Sequence, residues 1–148
     1  MAFHFSLRAL LRLRESVEKA ELQRLRIIAA QAIQLRIEIE SLDGEIQERR
    51  RDLLEQAAAG ISGAELHLAA LSEAAGQQRR AEMLTKLREL EQARKKQQIR
   101  YTEARQQREI LSNLRERQLS VYLREQARRE QQSVDELFLI RRGHKARN

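Results

Sequence analysis

The sequence predicts an all-α fold: an elongated antiparallel two-helix coiled coil (an α-helical hairpin) with a short helical tip. Three observations carry that prediction. Between Leu25 and Ile46, apolar residues recur at alternating steps of three and four. Leu25, Ile28, Ala32, Leu35, Ile39, Leu42 and Ile46 thus fall on one narrow seam, the mark of a helix that supercoils around another. The composition agrees: 148 residues with no proline, five glycines, 3% aromatic and 34% charged side chains. Proline breaks helices, whereas Ala, Leu, Glu, Gln, Lys and Arg favour them, and the bulky residues of a globular core are scarce. Lastly, Gly60, Gly63 and Gly76 concentrate the only strong break between two long helical stretches, and a chain so interrupted folds back there.

The elements follow in order within a single coiled-coil domain, 1–148. Helix one is expected over about 6–58, with Ser6 as its N-cap. Two seams are visible in it: Leu10, Leu13, Val17 and Ala20, then the Leu25 series, with a register slip near Leu22. Gly44 lies within the second seam and softens the helix by ~1 kcal/mol relative to alanine. A glycine-marked tip is expected over 59–77. There Ser62 and Glu65 match a capping box that starts a short helix carrying Leu66, Leu68 and Leu71, with Gly76 near its end. Helix two is expected over about 78–138. Met83, Leu87 and Leu90 open its seam, and Leu111, Leu114 and Val121 resume it, with Arg94, Gln97, Tyr101 and Ala104 between. In an antiparallel hairpin this polar stretch is expected opposite or near the strongest part of helix one, leaving that seam partly uncovered. Ser133 and Glu136 form a second capping-box pattern, so a break or restart is expected there, and 139–148 reads as a frayed basic tail.

Charge is unevenly spread. The net is +7; residues 1–74 carry 10 basic and 12 acidic side chains, residues 75–148 carry 19 and 10, and 24 of the 29 cations are arginine. A basic helix can meet nucleic acid, an anionic membrane or an acidic protein surface, or be a solvated flank with interspersed acids. The arginines alternate with acids and no aromatic platform for bases is present, so nucleic acid is not the expected partner. No apolar run approaches the ~18 residues that span a bilayer. The apolar pattern of the first fourteen residues continues into helix one without a cleavage-like site, so a targeting segment is not expected.

Catalytic chemistry is not expected. With no cysteine there is no disulfide framework or thiolate metal site. His4, His67 and His144 are far apart and show no metal-ligand spacing. No strand precedes a Gly-rich phosphate loop, and carboxylates on an exposed coiled-coil flank lack the desolvated pocket that raises a catalytic pKa. The expected answers are therefore no enzyme, no cofactor and no metal, with function sought in partners.

The opening Phe3-His4-Phe5-Ser6-Leu7-Arg8-Ala9-Leu10-Leu11-Arg12-Leu13-Arg14-Glu15 resembles the F-x-F-x-L-x-x-L-L-x-x-R start of the flagellar export protein FliJ family. The closing Glu130-Gln131-Gln132-Ser133-Val134-Asp135-Glu136-Leu137, followed by Arg141 and Arg142, is similar to the family's final run of an acid, a spacer, D-E-L and basic residues. Length, two long helices and the turn at Gly60-Ile61-Ser62 agree. The segment after the turn departs from the family: it reads Leu66, Leu68 and Leu71 where members often carry aromatic residues.

The resemblance implies a component of the flagellar type III export apparatus, similar to the central stalk of rotary ATPases. Such a stalk binds the hexameric export ATPase, promotes ring assembly and links the ring to the export gate. The implied partners are that ATPase and its regulator, the cytoplasmic domain of the gate, and export chaperones. The implied location is cytoplasmic, peripheral at the inner face of the cell membrane. In the family the terminal half of the coiled coil enters the ring, which here points to Phe3, Phe5, Leu7, Leu10, Leu11, Arg115, Arg124, Asp135, Glu136 and Leu137. For Phe3, Phe5, Leu10 and Leu11 an equal alternative is a staple that holds the helix start against helix two. For Asp135 and Glu136 the alternative is a pair of first-turn acids. Other functional readings are the equivalent stalk of a virulence-type injectisome, a basic coiled coil that binds nucleic acid, and a coiled coil that self-associates through the uncovered seam of helix one.

Overall fold

The computed structural model describes residues 2–148, and among them every regular element is helical. Helix α1 spans Arg8–Ala59 and α2 spans Gly63–Arg147. They pack against each other as an antiparallel hairpin, with ion pairs linking Arg36 to Glu91 and Arg50 to Glu73.

Sequence chemistry explains the turn. Gly60 adopts φ 95°, a left-handed conformation open to a residue without Cβ, and its N–H donates to the Ala57 carbonyl at 3.2 Å. Two residues on, Ser62 caps α2: its Oγ accepts the Glu65 N–H at 3.2 Å and its carbonyl accepts the Leu66 N–H at 3.1 Å. Glu65 supplies the acid favoured at the positive end of the helix dipole.

Four boundaries differ from the sequence expectation. The leucines at 66, 68 and 71 do not form a separate tip helix; they are the first turns of α2, which continues through Gly76 without interruption. Gly76 is buried because Ile46 lies against it: a Cβ there would sit 3.4 Å from Ile46 Cγ1. The missing side chain thus serves close helix approach rather than termination. Ser133 is likewise interior to α2, and the expected frayed tail is helical to Arg147. Good helix formers on both sides sustain it, and His144, Lys145 and Arg147 in the last turn oppose the negative dipole end. At the other terminus the cap of α1 lies one residue later than expected. The Leu11 N–H donates to the Leu7 carbonyl at 2.9 Å, which places the cap at Leu7, while Ser6 lies in the preceding turn.

The chain divides into two compact units. One is Lys19–Thr102. Its core is Ile39, Leu42, Ile46 and Met83, with Leu35, Leu84 and Leu87 packed against it. All seven residues of the Leu25–Ile46 series are buried or half-buried, and so are Leu87 and Leu90. The seam of helix one is therefore filled from within the chain, which corrects the expectation of a partly uncovered surface. The reason is register. The strongest stretch of α1 faces the apolar stretch of α2 at Met83–Leu87 rather than its polar middle. Arg36–Glu91 at 2.7 Å and Arg80–Asp43 at 2.5 Å flank this core.

The other unit is Met1–Glu18 with Glu103–Asn148. Phe5, Leu11 and Ala104 are buried in it, and Leu111 and Leu114 are half-buried.

Two modest predictions follow from these packing facts. A Cβ added at Gly44 meets nothing within 4 Å, and its φ is not left-handed. Gly44→Ala should therefore stabilise the chain by about 0.5–1 kcal/mol through helix propensity alone, read as a higher urea midpoint. Separately, the hydrogen bond from Arg50 to Glu73, helped by Gln77, holds the Glu73 carboxyl below its ordinary range. A depressed carboxylate stabilises the folded state above its unfolded pKa, and that contribution is lost as pH falls through the folded value. Wild type should therefore lose slightly more melting temperature on acidification into that range than Glu73→Gln does. The difference is small because the pair is solvated.

Candidate partner-binding surface

The buried face of α1 continues in steps of three and four beyond the apolar series, but with polar residues. Leu11, Arg14, Glu18 and Glu21 lead into Leu25 on unbroken spacing, and each is buried or half-buried. There is thus no register slip near Leu22. Of Leu10, Leu13, Val17 and Ala20, read from sequence as a first seam, Val17 is half-buried and the other three are exposed. In α2 the matching positions are Gln97, Tyr101, Ala104, Arg108 and Leu111, again at steps of four and three.

These polar seam residues satisfy one another. In the first unit, Gln97 is 5% exposed, and its Nε2 donates to the Glu21 carbonyl at 3.0 Å and also to the Glu21 carboxylate. In the second, Arg108 grips Glu18 with two hydrogen bonds of 2.7 and 3.1 Å, which raises the Arg108 pKa. Arg14 donates to Gln107 at 2.5 Å. Among the described residues no buried side-chain polar atom lacks a hydrogen-bond partner. A polar seam of this kind fixes register at some cost in stability. It also removes Arg108 from the cations free to meet another molecule.

The residues expected to bind a partner separate into two groups. Phe5 is 3% and Leu11 4% exposed, and the Phe3 ring lies 5.6 Å from that of Tyr122 at an interplanar angle of 50°. These side chains clasp the start of α1 onto α2, the geometry of the staple. Leu7, Leu10, Arg115, Arg124, Asp135, Glu136 and Leu137 are exposed, with Arg124 also donating to Ser120 Oγ at 3.2 Å.

What the sequence reading missed is the extent of bare helix. Every residue from Gln126 to Asn148 is exposed. The helix persists there on local pairs: Arg128 and Arg129 reach Glu125 at 2.8 and 3.5 Å, and Gln131 donates to Asp135 at 3.0 Å. It carries Leu137, Phe138, Leu139 and Ile140, each 61–63% exposed, with Val134 one turn earlier. Consecutive helix residues are ~100° apart, so these four side chains ring the helix. The signal was present in the sequence as an apolar run between Glu136 and Arg141. The frayed-tail expectation obscured it.

Among the described residues no group of three His, Cys, Asp or Glu side chains is placed to hold a metal, and no helix is long and apolar enough to cross a membrane. Fold and surface together define a class: a coiled-coil hairpin whose second helix ends in a bare stretch with an apolar collar. The chain matches the family described as FliJ, the flagellar FliJ protein, over residues 3–147. It belongs to that family, whose members are non-enzymatic coiled-coil components of flagellar protein export. No curated protein and no solved structure matches it.

Proposed function

We propose that this chain is the stalk of the flagellar export ATPase. It binds the hexameric ring, promotes ring assembly and couples the ring to the cytoplasmic domain of the export gate and to export chaperones. The observation that carries this reading is the end of α2, helical and exposed from Gln126 onward, with apolar side chains on all sides of one turn. A helix apolar all round is stable when surrounded, and the channel of a ring surrounds it. Leu7, Leu10, Arg115, Arg124, Asp135, Glu136 and Leu137 supply accessible contacts in the same unit. Phe3, Phe5 and Leu11 clasp the start of α1, which carries Leu7 and Leu10, onto α2.

The turn of the hairpin suits the gate. Leu54, Leu66, Leu68 and Leu71 are exposed near the turn and offer an apolar contact without aromatic residues. Association with the cell membrane is then peripheral, through the export complex.

A pull-down of the purified chain with the export ATPase and with the gate's cytoplasmic domain, followed by an ATPase assay, tests the reading. Capture of the ATPase with raised turnover is expected. Capture of neither protein overturns it.

A further inference from the structure

The order of side chains along the bare end of α2 is uneven in a way ring binding does not require. Beyond Arg128 and Arg129, which pair back to Glu125, acidic residues come first, at Glu130, Asp135 and Glu136. The apolar turn Leu137–Ile140 follows. After it every ionisable group is basic: Arg141, Arg142, His144, Lys145 and Arg147. A segment with acid before and base after an apolar centre complements itself when one copy is turned end for end.

We infer that two copies of this chain pair antiparallel through this segment when no other protein covers it. The positions that share one helix face, at steps of three and four, are Glu130, Val134, Leu137, Phe138, Arg141 and Lys145. With the two-fold axis between Leu137 and Phe138, Glu130 of one copy meets Lys145 of the other. Val134 then lies on the aliphatic stem of Arg141, and Leu137 packs on Phe138. The helix dipoles oppose, which is favourable. Parallel pairing would instead stack the basic ends on each other and the acids on each other, a repulsive arrangement at helical contact distance.

The pairing is reversible by construction. One partner helix covers a single face, so Leu139 and Ile140 stay exposed and the buried area is below that of a stable dimer. On the stalk reading given above, the self-pair and the ATPase ring compete for the same residues, so the pair is a resting form that the ring dissolves. The seam of α1, filled within the chain, takes no part.

The test uses the full chain alone, so its outcome does not depend on whether the ATPase binds. The average mass from light scattering should rise from 17.4 kDa toward twice that value between low and high micromolar concentration. Adding salt should weaken the rise. The chain has no cysteine, so single substitutions report geometry without background. Glu130→Cys and Lys145→Cys, at exposed helical positions, should form a disulfide with each other when mixed under mild oxidation. Each should do so far less when alone, and Phe138→Cys should link to itself. Helicity by circular dichroism confirms that the variants are folded. A mass that stays at the monomer value throughout overturns the inference. So does self-linking of Glu130→Cys that equals or exceeds linking in the mixture, because that indicates parallel pairing.

Discussion

Leu42→Ala is expected to cost about 2–4 kcal/mol of folding stability, the range for truncating a buried leucine. Leu42 is 6% exposed and sits between Ile39 and Ile46 against Met83. A two-helix core has one layer of side chains on each partner. Truncation therefore removes buried apolar surface and leaves a gap that few neighbours can close. At this chain length each kcal/mol moves the melting temperature by roughly 2–4 °C, so a drop of several degrees to well over ten is expected in a thermal melt. Truncation of Leu13, which has helical seam spacing but is 56% exposed, should move it far less. Equal effects at the two positions would mean that the buried seam is not the one described.

The second large effect concerns binding alone. Leu137→Asp combined with Phe138→Ser should weaken association with the export ATPase at least about tenfold, the scale of losing one central apolar anchor of an interface. The same pair of substitutions should leave the melting transition within about 0.5 kcal/mol of wild type, because both side chains are more than half exposed. Binding and stability thus separate at these positions, whereas at Phe5, 3% exposed beneath the clasp, they should fall together. The comparison distinguishes a docking surface from a structural one within a single unit of the fold.

Much of the fold was legible in the sequence, for a physical reason. An apolar residue at each three–four step from Leu25 to Ile46 admits few other readings, and Gly60 with Ser62 marks the turn chemically. The polar half of the seam was not legible by the same rule. Arg14, Glu18 and Glu21 occupy interior positions that an apolar search skips, and their partners Gln107, Arg108 and Gln97 lie 93, 90 and 76 residues away. Leu10, Leu13 and Ala20 offered a competing periodic pattern in the same stretch. Local spacing cannot tell which of two faces finds a partner.

Helix ends were misread for a related reason. Gly76 looked like a stop because glycine disfavours helix, yet its value lies in a tertiary contact with Ile46. The Ser133–Glu136 pattern matched a capping box, yet a strong run of helix formers carries α2 through it. For the candidate site, the start of α1 meets α2 at Tyr122, whereas Asp135, Glu136 and Leu137 lie beyond that contact on bare helix. The division into a buried clasp and a bare collar depended on burial, which composition does not encode.

The claim that the terminal half, rather than the turn, engages the ATPase is tested most directly by site-specific photocrosslinking. A photoreactive residue is placed at Leu137 or, separately, at Leu68, and each chain is illuminated with the assembled export ATPase. Crosslinks to the ATPase from position 137 and none from 68 are the predicted result. Crosslinks from 68 alone, or from neither position while the proteins remain associated, would contradict it.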